Sequence, residues 1–245
     1  FTEYYSACPD KPGILSTLLR TMKLLSTERS MPIDPKDLLT QLQTEMRLTL
    51  RDFSWNSPQD VPHILAFLVG KINAESTTAR ELSETRVRTV TTCSLCNFQS
   101  AKLENHPHLI VPVRESLPAM LDEFTSSTAV EGSNGYMCPE CSPTQKVKAF
   151  RREEVAYAPL MMMLVMRRFE ENHLQGPLQP KFVRSAQHFN PDVQLELVVK
   201  SDSGQKQKAR YETMAIIHNK GPLVGVSHYY AHIRKKRRWY KCNDR

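Results

Sequence analysis

Apolar positions in the first eighty residues fall at helical spacing, and those after about Arg86 fall at strand spacing. Ile14, Leu15, Leu18, Leu19, Met22 and Leu25 recur at steps of three and four, which puts them on one face of a helix beginning after the Pro12-Gly13 break. Asp34-Pro35 announces a second helix, an N-cap followed by the residue favoured at the first helical position, with Leu38, Leu39, Leu42 and Met46 as its stripe. Ser57-Pro58 repeats the device for a third, whose apolar face is Val61, Ile64, Leu65, Leu68 and Ile72. Pro62 moves that start toward Asp60, because a proline deeper in the helix could not donate to the preceding turn.

Segments 86–92, 98–103 and 109–113 are rich in Val, Ile, Thr and Phe and predict short strands, followed by one short helix at 117–124. Further strands are predicted at 147–156, 160–168, 193–199, 211–218, 227–233 and 239–242. Residues 193–197, Val-Gln-Leu-Glu-Leu, alternate as a half-buried antiparallel strand should. Helices first and strands afterwards predict an α+β architecture rather than alternating α/β.

Composition narrows the class without changing that picture. The chain has 245 residues, of which 40% are hydrophobic, enough to bury a real core. With 24% charged residues and 8 Gly it is neither collagen-like nor low-complexity. The longest apolar run, 158–166, is less than half of the roughly 20 residues a membrane helix needs, and the first twenty residues lack the plan of a signal peptide. The sequence starts at Phe1, not Met, so a piece of a longer protein is expected.

The net charge of +7 is local. From Lys200 onward there are 12 basic and 3 acidic residues, which leaves 21 against 23 before it. The densest run, Arg234-Lys235-Lys236-Arg237-Arg238, lies between two predicted strands and reads first as a solvated hairpin tip. Nuclear targeting or phosphate binding is the alternative reading of such a run. Aromatic residues are not interleaved with it beyond Trp239 and Tyr240, so a nucleic-acid stacking platform is disfavoured.

Four of the six cysteines form two Cys-x-x-Cys pairs, Cys93/Cys96 and Cys138/Cys141, 41 residues apart. Two such pairs can complete a tetrahedron about Zn²⁺ at about 2.3 Å per sulfur, and four ligands close the site, so the metal would be structural. Disulfides or a redox pair are the competing readings. Cys8 and Cys242 stand outside the scheme as ordinary thiols. Near the end, His228 lies on a predicted strand whose successor is followed by Asn243-Asp244, an arrangement in which a carboxamide or carboxylate can orient an imidazole base. A histidine in a hairpin is by itself as readily structural.

Several of these segments, in order from Gln59 to Asp244, resemble the ubiquitin-specific protease family, cysteine peptidases that hydrolyse the bond after the C-terminal glycine of ubiquitin. Residues 57–65, Ser-Pro-Gln-Asp-Val-Pro-His-Ile-Leu, are similar to the family's Gln-Gln-Asp-Ala-His-Glu-Phe-Leu helix start. Residues 157–169 resemble its strand ending in Arg-Phe, 225–232 its Gly-His-Tyr-x-Ala-Tyr box, and 239–244 its closing Trp-Tyr-x-Phe-Asn/Asp-Asp. The two cysteine pairs occupy the place of its zinc-binding fingers.

The resemblance implies an α+β, papain-like cysteine peptidase with a helical thumb at 1–83, zinc-binding β fingers at 84–146 and an antiparallel β palm at 147–245, one domain cut at both ends. It implies His228 as general base, Asn243 as its orienter and Asp244 as substitute or helper. Gln59 and Asp60 would lie near the channel for the ubiquitin tail. The implied metal is structural Zn²⁺ on Cys93, Cys96, Cys138 and Cys141, and the implied partners are ubiquitin and ubiquitinated proteins, with neither membrane nor nucleic acid.

This sequence departs from the pattern at Ser227, where the family has Gly, at His63, where it has Glu, and at Cys242, where it has an aromatic residue. Its nucleophile box, Asn-Thr-Cys-Tyr, has no match: Cys8 is followed by Pro9 and no Asn precedes it. The nucleophilic cysteine is therefore expected upstream of residue 1, and the chain as it stands is expected to be inactive. The alternative is a homologue that has lost catalysis and binds ubiquitin as a scaffold. Reduced cysteines point to the cytoplasm or nucleus.

Overall fold

The computed structural model describes residues 13–27, 36–49, 60–172, 181–184, 194–201, 203–220 and 228–243. The chain divides into two units, Phe1–Ser83 and Glu84–Arg245.

Among the described residues the first unit contains α1 (Ile14–Thr27), α2 (Lys36–Thr49), α3 (Val61–Glu75) and α4 (Thr77–Ser83). The stripes read from the sequence converge: Ile14, Leu42 and Met46 are buried, with Ile64, Phe67, Leu68 and Ile72 packed against them. Leu39 stands 44% exposed at the margin of its stripe. The start of α1 is capped from a distance. Backbone N–H groups of Ile14 and Leu15 donate to the Glu75 carboxylate at 3.2 and 3.1 Å, satisfying donors that the helix itself cannot pair and placing negative charge at its positive end. A Cβ at position 13 would lie 2.6 Å from Glu75 Oε2, so the close approach requires Gly13. Helix α3 begins at Val61 with Pro62 in its first turn, where the missing N–H has no intrahelical partner to lose. Helix α4 carries no apolar stripe; Ser83 Oγ donates to Asn73 Oδ1 at 3.0 Å and an Arg80 guanidinium N–H to the Asn73 carbonyl at 3.0 Å.

The second unit contains β1 (Thr85–Cys93), β2 (Gln99–His106), β3 (Leu109–Pro112), α5 (Leu117–Phe124), β4 (Thr128–Val130), β5 (Tyr136–Cys138), β6 (Ser142–Val147), β7 (Ala149–Tyr157), β8 (Leu164–Arg167), β9 (Phe169–Asn172), β10 (Lys181–Arg184), β11 (Leu195–Lys200), β12 (Lys206–Tyr211), β13 (Ala215–Lys220), β14 (His228–Lys235) and β15 (Arg238–Cys242). One antiparallel sheet runs in the order β2-β1-β7-β4, and another in the order β13-β14-β15. Hairpins β5-β6 and β11-β12 are antiparallel, and β3 pairs with β8 in parallel.

The core gathers Val87, Leu109, Val111, Val113, Leu117, Met120, Leu121, Val155, Leu195 and Leu197. It lies where the lower ends of β1 and β7 meet α5, β3 and β11. Leu195 and Leu197 point inward while Glu196 does not, as the alternation predicts. Helix α5 has the predicted bounds, with Ser116 as N-cap accepting from Ala119 N–H.

Two predicted strands are cut down. The one at 160–168 is reduced to β8, because Pro159 has no N–H for a ladder and Leu160 and Met161 stand 80% and 62% exposed before pairing resumes at Leu164. The one at 211–218 is broken in two. Tyr211 ends β12, its hydroxyl donating to the Pro159 carbonyl, and a new strand starts at Ala215 on a different partner.

Candidate metal centre and active site

Cys93 closes β1 and Cys138 closes β5, and each is followed by a tight turn that brings the second cysteine of its pair back beneath the first. In the first turn Cys93 N–H donates to the Phe98 carbonyl at 2.9 Å and Asn97 N–H to the Cys93 carbonyl at 3.1 Å. Asn97 sits at φ 60, a left-handed conformation that asparagine tolerates better than most residues. Ser94 ties this turn to the far strand, donating from N and Oγ to the Lys148 carbonyl at 3.1 and 2.7 Å.

The sheet thus brings together two pairs far apart in sequence. Cys93 Sγ lies 3.6 Å from Cys141 Sγ, and Cys96 Sγ 3.6 Å from Cys138 Sγ. All four sulfurs lie within 4.8 Å of one another. A regular tetrahedron of thiolates about 2.3 Å from a central ion has edges of about 3.8 Å, so the donor set fits a four-coordinate metal. The four are free thiols, not disulfides.

Cys93 and Cys138 are buried, whereas Cys96 and Cys141 are exposed. Backbone N–H groups of Cys96 and Leu95 directed at Cys93 lower its thiol to about 7. The neighbouring Cys96 thiol and burial push Cys141 up. One ready thiolate crowded by reluctant ones is the state a divalent cation would resolve.

The second cluster lies on the β13-β14-β15 sheet. His228 opens β14 and Asn243 follows β15, and His228 Nε2 is 2.6 Å from Asn243 Oδ1. Since an amide oxygen only accepts, Nε2 carries the hydrogen and Nδ1 keeps the basic lone pair. Two residues along the same face comes Tyr230, stacked on His218 with centroids 4.7 Å apart, and Lys241 Nζ lies 4.7 Å over the Tyr230 ring. Next is His232, whose Nδ1 is 2.9 Å from His218 Nε2. Burial, then His232, Arg168 and Lys241, hold His218 below the usual imidazole value. Sequence reasoning passed over this pair, because His218 and His232 meet only through the β13-β14 register that sets Ile216 opposite His232 and His218 opposite Tyr230.

Cys242 lies opposite Ala231 in the register, hence on the other face from His228. Asp60 caps α3 in the first unit with its carbonyl, which accepts from His63 and Ile64 N–H at 3.1 and 3.2 Å. Gln59, Asp244 and Cys8 lie outside the described residues. No helix among the described residues is long and apolar enough to cross a membrane.

The family model for ubiquitin carboxyl-terminal hydrolase matches residues 4–245. Ubiquitin carboxyl-terminal hydrolase 16 of Arabidopsis thaliana is 22% identical over 261 residues, covering 97% of this chain and 24% of its own length. Ubiquitin carboxyl-terminal hydrolase 48 of Danio rerio is 26% identical over 159 residues, 63% of this chain and 14% of its own. The SAGA Ubp8/Sgf11/Sus1/Sgf73 DUB module bound to ubiquitin aldehyde superposes with a TM-score of 0.74 at 16% identity, over 99% of this chain and 57% of that chain. The chain therefore spans about a quarter of the first relative's length and little more than half of the solved chain's.

Proposed function

The chain belongs to the ubiquitin carboxyl-terminal hydrolase family, and from that premise we propose that it is the greater part of a cysteine-type deubiquitinase domain whose general base is His228. The observation that carries the reading is the 2.6 Å contact between His228 Nε2 and Asn243 Oδ1, which fixes the tautomer that leaves Nδ1 as proton acceptor. In this mechanism His228 takes the proton of a thiol, and the thiolate attacks the carbonyl carbon of ubiquitin's last glycine. The C–N bond then breaks as His228 returns the proton to the leaving lysine amine, and a water activated by the same imidazole hydrolyses the thioester.

Cys242 faces away from His228, and Cys93, Cys96, Cys138 and Cys141 face one another. Cys8 is followed by Pro9 and preceded by no Asn, so we assign the nucleophile to a cysteine preceding Phe1. Asp244 is kept as helper to His228, and Gln59 and Asp60 are kept beside the ubiquitin tail. The four cysteines would hold structural Zn²⁺, the ion that four thiolates at tetrahedral spacing suit best. Its place is in fingers spanning 84–146, which follow a thumb at 1–83 and precede a palm at 147–245 in the sequence. Substrates would be ubiquitinated proteins, in the reducing cytoplasm or nucleus that free thiols require.

The test uses the full-length protein and ubiquitin carrying a thiol-reactive C-terminus. Labelling at a cysteine before Phe1, lost in His228→Ala with ubiquitin binding retained, is the expected result. Labelling at Cys8 or Cys242, or labelling unaffected by His228→Ala, overturns the assignment.

A further inference from the structure

The basic run is the one sequence feature that this mechanism leaves unused. It forms the tip of the β14-β15 hairpin, where Lys235 pairs with Arg238 across a two-residue loop of Lys236 and Arg237. All four side chains are exposed. Elsewhere in this part of the chain several cations are answered by carboxylates: Lys208 and Arg210 by Glu196 at 2.8 and 3.3 Å, Lys200 by Glu154 at 2.7 Å, and Arg234 by Glu212 at 3.7 Å. Among the described residues Lys235, Lys236, Arg237 and Arg238 have no such partner. Together with Tyr240, half exposed, they line a concavity of about 790 Å³.

The turn is also costly as built. Lys236 takes φ 57 in the first loop position, where glycine is the residue at ease. A hairpin that needed only to be closed and solvated would be better served by Gly-Ser there.

We propose that this tip is a docking surface for an acidic segment of the ubiquitinated protein, so that the enzyme selects conjugates whose modified lysine lies near an acidic stretch. The inference rests on the deubiquitinase reading above and deepens it. Strand β14 runs from His228 to Lys235, seven steps of about 3.3 Å, which sets the tip about 23 Å from the base. That span is suited to the protein to which ubiquitin is joined. The patch is densest at the turn, because Lys200, Lys208 and Arg210 on β11 and β12 are answered by Glu154 and Glu196. A short acidic segment fits four charges in a turn, whereas a duplex with one phosphate charge per about 1.7 Å of axis calls for a stripe.

The experiment uses the full-length protein and the variant Lys235→Thr, Lys236→Gly, Arg237→Ser, Arg238→Thr, which keeps strand formers on the strands and glycine at the left-handed position. A milder variant, Arg237→Ser with Arg238→Thr, leaves Lys236 in place and guards against misfolding. Binding of a fluorescent twelve-residue Glu/Gly peptide at 0.15 M salt is expected to weaken at least tenfold in the first variant and to an intermediate degree in the second. Hydrolysis of a ubiquitin C-terminal fluorogenic amide is expected to be unchanged, while kcat/KM for ubiquitin joined to a lysine in that acidic peptide falls at least tenfold. Equal peptide binding by wild type and both variants overturns the proposal, and so does tighter binding of a 20-base-pair duplex than of the peptide. Failure of the wild type to hydrolyse the fluorogenic amide counts against the deubiquitinase reading alone, because the peptide-binding comparison does not depend on it.

Discussion

The cysteine tip and the histidine hairpin are both built by antiparallel strands that end in short turns, yet one is a closed donor set and the other, in the function proposed above, would be half of a reaction centre. At the tip, two four-residue turns each supply two sulfurs, and pairing of β1 with β7 brings the turns together until every sulfur lies within 4.8 Å of the others. On the hairpin, β14 and the end of β15 bring His228 and Asn243 together, and nothing on that face supplies a thiol among the described residues. A metal centre of this kind would stabilise the chain that contains it, whereas His228 is held by its strand and by the Asn243 side chain and closes no comparable cluster.

Substitution at the tip should therefore strike the fold first. Cys93→Ser or Cys138→Ser removes a fully buried ligand, and zinc content measured on the purified protein is expected to fall from one ion per chain to none. Structural zinc contributes about 10–16 kcal/mol in zinc-finger peptides, so amide protection throughout β5, β6 and the upper part of β1 is expected to disappear. Cys242→Ser, at an exposed position, should shift stability by less than about 0.5 kcal/mol. If Cys93→Ser retained both metal and melting temperature, the tip would be no metal centre at all.

On the hairpin the expected effects are reversed. His228→Ala should lower kcat/KM of the full-length protein by about 10²–10⁴-fold, the usual contribution of a general base, with thermal unfolding nearly unchanged. Asn243→Ala should cost less, since the imidazole remains and only its orientation and tautomer are loosened. A loss of fold in His228→Ala, seen as a collapsed near-ultraviolet spectrum, would make this histidine structural and erase the contrast.

How far each region could be read in advance follows the same division. Cys-x-x-Cys spacing is a local constraint, so the ligands were legible as residues, although β5 and β6, which present Cys138 and Cys141, have no alternating pattern and were missed. The pairing of His228 with Asn243 was weakly legible from strand order and gained weight only by resemblance, because a hairpin histidine has no local signature of its own. The His218-His232 contact was not legible, since it depends on a register that places strands beginning at Ala215 and His228 side by side. Helix stripes and the Leu195-Leu197 alternation were readable because burial acts at a fixed period. The break at 212–214 was not, because it is set by which strand each half pairs with. Thumb-like helix α4 was invisible for another reason: it is held by Asn73, Ser83 and Arg80, not by apolar packing.

A smaller effect tests how the sheet that carries the cysteine tip is joined to the β11-β12 hairpin. Glu154 on β7, 11% exposed, meets Lys200 at 2.7 Å, Arg152 at 2.9 Å and Arg88 at 3.5 Å, linking the finger sheet to the β11-β12 hairpin. Burial opposes its ionisation, but hydrogen bonds from Lys200 and Arg152 outweigh it and hold the carboxyl below the usual range. Its contribution is thus present above the unfolded-state value near 4.3 and is lost as pH falls through the lower folded value. Glu154→Gln should cost about 1–3 kcal/mol at neutral pH in urea unfolding and flatten the acid limb. An unchanged acid limb would mean that the cations answer solvent, not Glu154.

The smallest effect separates the hairpin from the tip by pH. His218 is held neutral by burial and by the positive charges of Arg168 and Lys241, with His232 as hydrogen-bond partner. Two imidazoles 2.9 Å apart can share one proton between facing nitrogens but cannot both present N–H. The folded-state value lies below the unfolded one, so the unfolded chain binds more protons, and stability from this site is present above about pH 6.5 and lost as pH falls through the folded value. Protonation would part β13 from β14 at the strand that carries His228, while the tip, whose β1 and β7 have no histidine, should not respond in that window. Amide protection factors on β13 and β14, corrected for the intrinsic pH dependence of exchange, should therefore fall between pH 7 and 5.5 in the wild type and not in His218→Gln, where the side-chain amide keeps a hydrogen-bonding group beside His232 but has no imidazole to protonate. An equal fall in both proteins would place the acid sensitivity elsewhere and leave the His218-His232 pair a packing contact.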